Sequence, residues 1–287
     1  MNGFMEALKG IMSASEKHNA DPDTDYVGND GLVYCGKCRT PKQLRIETQI
    51  NGETVVLTPF VPCQHRREEI DREEQEQKER ERQERLKKIR DKSHVPALYA
   101  DASFDTFQKN QNNQAIFKMA KNFADQFDQM RKLGKGLLFH GSVGTGKTYT
   151  AACIANALLA AGYTVFWTST YEMLKLRSDD DEEKYDDLIM GSSLLIVDDL
   201  GAERSTDFGR ERVFSYVDGR CSTDKPTIYT TNVDFGKMVK PETQEESRIY
   251  DRILKRCFPI AFTGESWRRA EARDNFSEMK KILNGGA

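Results

Sequence analysis

The chain has 287 residues, of which 38% are hydrophobic and 31% are charged, and its formal net charge at pH 7 is −3. This length suits one large or two modest domains. Because the two charge signs nearly balance, any basic surface for nucleic acid has to be local. No apolar run approaches the length that spans a bilayer, and the N-terminus lacks the pattern of a secretory signal. We therefore expect a cytoplasmic protein with no membrane partner and with reduced cysteines.

Residues 1–65 are predicted to form an N-terminal module with a metal site. Cys35 and Cys38 form a C-x-x-C pair, and Cys63 and His65 follow a predicted hairpin around INGETVVLTPFV. Four soft ligands at this spacing suit tetrahedral, structural Zn²⁺, which would stabilise a segment with few apolar residues. Free thiols and a redox pair are the alternatives, although a redox C-x-x-C normally opens a helix of a βαβ unit.

Residues 66–93 form a predicted linker. The segment RREEIDREEQEQKERERQERLKKIRDK has almost no apolar side chains, and its charges of both signs are interspersed. Pairs of opposite charge four residues apart stabilise an exposed helix. A charged helical spacer is therefore expected, and an arm that binds nucleic acid is the alternative.

Residues 94–287 carry the pattern of a folded α/β domain. Short apolar runs alternate with helical patterns, which indicates a mostly parallel sheet covered on both faces. The predicted strands cover residues 136–140, 163–169, 194–199, 227–232 and 259–264.

The segment GSVGTGKT lies between the first of these strands and a predicted helix over 147–160, which is the context that a phosphate-binding loop requires. Its glycines let backbone amides face an anion, and the helix directs its positive end there. We expect Lys147 to reach the β- and γ-phosphates and the Thr148 hydroxyl to bind Mg²⁺. A glycine-rich turn without a ligand is the alternative. The predicted ATP site comprises Gly141, Ser142, Val143, Gly144, Thr145, Gly146, Lys147 and Thr148.

Polar residues at the ends of two later strands complete this predicted site. Asp198 ends the apolar run LLIV and is expected to hold Mg²⁺ through water, and Asp199 is placed to orient or deprotonate the attacking water. Asn232 ends TIYTTN and would lie beside the γ-phosphate, where it could position that water. Simple capping of the strand end is the alternative for Asp199, and capping of a turn is the alternative for Asn232.

These motifs together resemble the AAA+ ATPases, and most of all the bacterial helicase loaders of the DnaC/DnaI type and their phage relatives. The lead-in HVPALYADASFDTF and the ending RIYDRILKRCFPIAFTGESWRR resemble the same group, so the resemblance covers about residues 95–275. It implies an AAA+ P-loop fold with a five-stranded parallel sheet and ATP bound between neighbouring protomers. The usual Asp-Glu pair is Asp-Asp here. About twenty residues follow the fifth predicted strand, so we expect the three-helix lid of most AAA+ proteins to be reduced or absent.

The resemblance also implies roles for two arginines. Arg252, in the sequence YDR, would be the finger offered to the γ-phosphate of a neighbouring protomer, and Arg268, in SWR, would sense the nucleotide bound to its own subunit. A finger acts by placing a fixed guanidinium where negative charge develops in the transition state. Arg248 is a rival for the finger, and ordinary surface positions are the alternative for both arginines.

The function that the resemblance implies is an ATPase that loads the hexameric replicative DNA helicase onto single-stranded DNA. The N-terminal module would hold the helicase, copies of the chain would assemble into a spiral or ring, with a hexamer on the helicase, and hydrolysis would release them. Lys175 and Arg177 are candidates for the DNA contact, although an acidic run follows them. The alternatives are a transposition helper ATPase of the IstB type, which serves a transposase, and a small-molecule P-loop kinase.

Overall fold

The computed structural model of the chain describes residues 20–50, 53–175, 179–201 and 207–284. It divides into two compact units, residues 1–83 and residues 84–287. Within the described residues, no helix combines the length and the apolar character needed to cross a bilayer.

The first unit contains two small antiparallel sheets. Strand β1 (Tyr26–Val27) pairs with β2 (Val33–Tyr34), and β3 (Ile46–Ile50) pairs with β4 (Glu53–Leu57) so that Ile46 lies opposite Leu57. The second pair is the hairpin predicted from the sequence. The two sheets bracket the C-x-x-C turn between β2 and β3.

Helix α1 (Gln64–Asp91) has the solvated character predicted for the charged segment. None of its residues is buried. Ion pairs at helical spacing line it, including Arg66 with Glu69 and Lys78 with Glu74. Such exposed pairs each contribute a few tenths of a kcal/mol at most, so the helix depends on many of them.

The second unit is built on a five-stranded parallel sheet. The strands are β5 (Gly136–Gly141), β6 (Val165–Ser169), β7 (Leu194–Leu200), β8 (Thr227–Thr231) and β9 (Cys257–Phe262). Their order across the sheet is β6-β7-β8-β5-β9, and every neighbouring pair is parallel. This confirms the predicted α/β fold, with strand bounds that shift by up to two residues from the predicted ones.

Helices cover both faces of this sheet. After a single 3₁₀ turn (Ala97–Tyr99), the first group packs on one face and comprises α2 (Gln114–Asp125), α3 (Phe127–Leu133) and α4 (Lys147–Ala160). The second group packs on the other face and comprises α5 (Thr170–Lys175), α6 (Asp179–Gly191), α7 (Asp207–Ser222), α8 (Phe235–Val239) and α9 (Gln244–Arg256). In the described part of the chain, one helix, α10 (Trp267–Leu283), follows the last strand.

Alternate residues of each strand belong to the two opposite faces, as the pleat of a strand requires. On β7, Leu194 and Ile196 face the α4 side, whereas Leu195 and Val197 face the α9 side. Leu200 breaks the alternation, because it packs with Leu195 and Val197 although its even number predicts the opposite face. One extra residue between Val197 and Leu200 explains the change of face.

The pairing of β7 with β8 shows the same extra residue. Val197 lies opposite Tyr229 and Leu200 lies opposite Thr231, so two residues of β7, Asp198 and Asp199, oppose the single residue Thr230. This is a β-bulge, which bends a strand locally and re-aims its side chains.

Arg220 on α7 is buried to 1% exposure and joins the second helical layer to the sheet. Its guanidinium donates hydrogen bonds to the carbonyl oxygens of Ile189 at 2.8 Å, Ser192 at 2.9 Å and Pro226 at 2.9 Å. Burial lowers its pKa to about 10. Because backbone carbonyls from both segments accept hydrogen bonds from its guanidinium, Arg220 fixes the end of α6 against the start of β8.

We predict that Arg220→Met destabilises the fold by about 2–4 kcal/mol, because the buried carbonyls lose their donors. Thermal or urea unfolding of the full chain measures this change. Lys118→Met is the matched control, since Lys118 is an exposed cation of α2 and its loss should change stability by less than about 0.5 kcal/mol. Equal stability of the two variants would show that the Arg220 network contributes nothing.

Candidate functional site

The phosphate-binding loop connects β5 to α4 at the carboxyl edge of the sheet. Gly146 caps α4 with φ 98°, and a Cβ built there would meet no atom within 4 Å. Gly144 has φ 80°, and its Cβ would lie 2.0 Å from the Ser266 hydroxyl oxygen. The first glycine therefore keeps a cradle open at the positive end of α4, and the second allows the loop to contact the start of α10.

Lys147 is the first residue of α4 and is only 5% exposed. Its ammonium donates hydrogen bonds to the carbonyl oxygens of Gly141 at 2.9 Å and Ser142 at 2.8 Å and to Oδ1 of Asn232 at 2.7 Å. Burial lowers the pKa of Lys147, whereas the charges of Asp199 and Asp198 raise it. The structure thus brings two sequence-predicted residues into direct contact, Lys147 at the start of α4 and Asn232 just after β8.

Asp198 lies beside the start of α4. Its Oδ1 accepts hydrogen bonds from the hydroxyls of Thr148 at 3.1 Å and Thr230 at 2.5 Å. Burial raises the pKa of Asp198, and the two threonine hydroxyls oppose that rise. A hydroxyl and a carboxylate side by side are oxygen ligands of the kind that Mg²⁺ prefers.

Asp199 is exposed and has a left-handed backbone, with φ 56°. Its amide donates a hydrogen bond to the Thr230 hydroxyl at 3.0 Å, and its carbonyl oxygen accepts one from Thr170 at 3.0 Å. A non-glycine residue in this conformation is uncommon and is held by its surroundings. The structure therefore presents the two carboxylates differently, with Asp198 half-buried against α4 and Asp199 open to solvent.

Helix α10 begins on the phosphate loop. The amide of Trp267 donates to the carbonyl oxygen of Gly144 at 2.9 Å, and Ser266 caps the helix. Arg268 follows directly, and its charge is near enough to lower the pKa of Lys147 in addition to burial. The predicted sensing residue thus belongs to an element that contacts the loop within the same chain.

Arg252 lies on α9, which packs on α7. It forms an ion pair with Asp218, and its guanidinium carbon lies 4.5 Å from the centre of the Phe214 ring. Arg248, its rival, stacks on the same ring at 4.2 Å. Among the polar contacts of the described residues, none joins Arg252 to the phosphate loop of its own chain.

Of the two candidates for the DNA contact, the structure describes one. Lys175 ends α5, is exposed, and lies 4.0 Å from a carboxylate oxygen of Glu172 and 5.6 Å from the centre of the Tyr171 ring. Arg177 lies outside the described residues. Neither position is tested further by the structure.

The four predicted zinc ligands of the first unit converge. One ligand atom from each of Cys35, Cys38, Cys63 and His65 can be chosen so that all lie within 4.8 Å of one another. The thiols of Cys63 and Cys35 lie 3.0 Å and 3.4 Å from Nδ1 of His65. Because tetrahedral zinc needs ligand atoms about 3.5–3.8 Å apart, the cluster fits this ion with small adjustments.

The electrostatics of the cluster also favour a cation. Burial acts to raise the pKa of Cys38, but hydrogen bonds from His65 and Thr40 outweigh it and lower that pKa to about 5. Burial and the neighbouring thiols raise the pKa of Cys63 to about 11. A thiolate in the cluster therefore disfavours ionisation of the neighbouring thiol. A divalent cation would let the thiols ionise together.

Sequence reasoning missed three residues of this site. Thr230 bridges the two aspartates, Thr170 binds the Asp199 carbonyl, and Ser266 supports the loop at Gly144. Threonine within a strand is typical of an ordinary β-former, so the TTN motif that contains Thr230 draws attention to Asn232 rather than to the threonine.

A comparison with protein families covers most of the chain from the start of α1 onwards. The profile of the family described as "IstB-like ATP binding protein" matches residues 64–275. That match contains the phosphate loop, both aspartates and both arginines. It excludes Cys35, Cys38 and Cys63.

Two relatives and one solved structure share a similar sequence with part of this chain. The replicative helicase loader DnaI of Bacillus subtilis (strain 168) is 29% identical over 169 residues, which cover 54% of each chain, so the match spans about half of that relative. The replicative helicase loader DnaC of Escherichia coli (strain K12) is 26% identical over 64% of this chain and 76% of that protein. A crystal structure of the DnaC helicase loader superposes with a TM-score of 0.52 and 26% identity, over 58% of this chain and all of that one. The resemblance to DnaC/DnaI loaders is thus confirmed.

We predict that the purified full chain carries about one zinc ion and that Cys63→Ser lowers this content severalfold, because the substitution removes one of four ligands. Elemental analysis of protein grown without added metal measures the content. Cys221→Ala is the control, since Cys221 is a partly buried thiol of the other unit. A wild-type chain without zinc, or a Cys63→Ser chain with full zinc, would contradict the assignment.

Proposed function

The chain belongs to the family of IstB-like ATP binding proteins, and we propose that it is an ATPase that loads a hexameric replicative helicase onto single-stranded DNA. The observation that carries the ATPase proposal is the meeting of Lys147, Thr148 and Asp198 at the open cradle beside Gly146. The names of the relatives support the loading role, since the characterised ones reported above are replicative helicase loaders.

The residues at the sheet edge fit ATP and Mg²⁺. The open space at Gly146 and the amides that begin α4 would hold the phosphates, with Lys147 close to the β- and γ-phosphates. Thr148 and Asp198 would hold Mg²⁺, which supplies positive charge against the phosphate oxygens when it is bound. Asp199 would orient or deprotonate water, and its exposure beside the half-buried Asp198 supports this division of roles.

Asn232 and Arg268 would act on the same nucleotide. Asn232 accepts a hydrogen bond from Lys147, so its amide lies where the terminal phosphate would meet the ammonium. Arg268 follows the first residue of α10, whose amide bonds the loop. A change at the phosphates would therefore reach α10 through a direct contact.

Arg252 would serve the nucleotide of a neighbouring protomer. Its contacts with Asp218 and Phe214 fix it on the surface of α7, with the side chain 34% exposed. A fixed and partly exposed guanidinium suits a finger, because little ordering remains to be done when a partner arrives. Hydrolysis by one isolated protomer would be slow, because the finger for its nucleotide would have to come from a neighbour.

The first unit would grip the helicase. Its zinc cluster lies outside the family match except for His65, which agrees with a role that differs from nucleotide binding. Release of the helicase would follow hydrolysis and loss of the shared ATP contact between copies of the chain.

The name of the matching family also supports a second candidate, the transposition helper of the IstB type. Co-purification decides between the two. We predict that the full chain retains its replicative helicase in the presence of ATP and single-stranded DNA. Retention of a transposase instead would favour the second candidate.

We predict that Lys147→Ala and Arg252→Ala each abolish the ATPase activity stimulated by helicase and DNA, and that mixing the two variants restores part of it. The mixture contains interfaces where an intact Lys147 meets an intact Arg252 from a neighbour. Arg252→Ala alone should lower kcat by about 10³-fold. Steady-state phosphate release measures all three samples.

Lys255→Ala is the matched control for this experiment, because Lys255 is an exposed cation on the same helix. It should retain full activity. If the mixed variants stay inactive, or if Arg252→Ala alone turns over normally, the shared site is wrong. If Arg248→Ala shows the complementation instead, Arg248 is the finger.

A further inference from the structure

Three buried threonines surround the bulge that carries Asp198 and Asp199, and we call Thr170, Thr230 and Thr231 the threonine cluster. Their exposures are 1%, 0% and 0%. Thr170 begins α5 beyond β6, and the other two end β8, so the cluster approaches β7 from both neighbouring strands. None of the three was expected to take part in the site.

The threonine cluster replaces strand pairing at the bulge. The Thr230 hydroxyl accepts the hydrogen bond of the Asp199 amide at 3.0 Å. The Thr170 and Thr231 hydroxyls donate to the carbonyl oxygens of Asp199 at 3.0 Å and Leu200 at 2.6 Å. Backbone groups that the extra residue removes from the ladder are thus satisfied by side chains.

Thr230 does more than satisfy the backbone. While it accepts from the Asp199 amide, its hydroxyl hydrogen is donated to Oδ1 of Asp198 at 2.5 Å. One hydroxyl therefore links the carboxylate of one aspartate to the backbone of the next. A threonine or serine hydroxyl can donate and accept at the same time, whereas valine, which has the shape of threonine, can do neither.

We infer that Thr230 is a positioning residue that fixes the two aspartates relative to each other, and that it sets the placement of the magnesium-binding carboxylate and of the water-orienting one. This inference rests on the proposed ATPase function. Thr230 itself touches neither nucleotide nor water in the reaction; it acts through Asp198 and Asp199.

The geometry explains why one residue can control both carboxylates. Asp198 and Asp199 together oppose Thr230 across the β7–β8 pair, so Thr230 is the neighbour that the bulge shares between them. The left-handed backbone of Asp199 is the costly part of this arrangement, and the hydrogen bond of its amide helps to hold it. Without that bond, the bulge can relax and Asp198 can turn away from Thr148.

The test compares variants that differ in the hydroxyl. Thr230→Val keeps the shape and removes the hydroxyl, and Thr230→Ser keeps the hydroxyl. We expect Thr230→Val to lower kcat about 10–100-fold, in line with the loss of a partner that orients a metal ligand. Its KM for ATP should change little, its requirement for Mg²⁺ should rise, and Thr230→Ser should regain most of the activity.

Two further variants keep the test decisive. Thr168→Val is the matched control, because Thr168 is a buried threonine of β6 whose hydroxyl bonds Tyr185, and it should leave kcat and the Mg²⁺ requirement unchanged. If Thr230→Val does not fold, the pair Thr230→Ser and Thr230→Ala separates the hydroxyl from the methyl group in the same way.

The inference is overturned if Thr230→Val turns over within about twofold of wild type, or if Thr230→Ser is as impaired as the variant without a hydroxyl. Failure of the proposed function looks different, because the wild-type chain itself would then hydrolyse no ATP with helicase and DNA. In that case, the Mg²⁺ dependence of binding a fluorescent ATP analogue still compares Thr230→Val with Thr230→Ser.

Discussion

A buried ammonium group organises the edge of the sheet on which the candidate site lies. Lys147 is almost fully covered, and a charge in such a place must be surrounded by oxygen atoms. The chain provides them from the loop carbonyls, from Asn232 just after the neighbouring strand β8 and, at longer range, from two carboxylates. The parallel order of β7, β8 and β5 is what brings these groups together, because the carboxyl ends of parallel strands share one edge.

Much of this site follows from short sequence patterns, and the reason is physical. A phosphate loop needs glycines and a helix start within eight residues, and a zinc cluster needs paired ligands on tight turns. Short stretches of sequence are therefore enough to predict both. The five strands are equally local, since each is built around a short apolar or β-branched run. Asp198 and Asn232 were placed by one further rule, that strand ends of a parallel sheet meet.

The parts that the sequence did not predict depend on register between distant segments. The bulge at Asp198 and Asp199 exists because β8 pairs with β7 on both sides of one extra residue, and no local pattern marks this. The contact between Ser266 and Gly144 arises only when α10 returns to the loop.

The contact between Gly144 and Ser266 has a consequence for how this sequence can vary. A methyl group at position 144 would overlap the hydroxyl and Cβ of Ser266, while replacing Ser266 by glycine would remove the cap of α10. A larger residue at position 144 would therefore disturb the start of α10, and a residue without a hydroxyl at position 266 would leave that start uncapped. Because Gly144 also has φ 80°, a conformation that favours glycine, homologous chains should preserve Gly144 and Ser266 together.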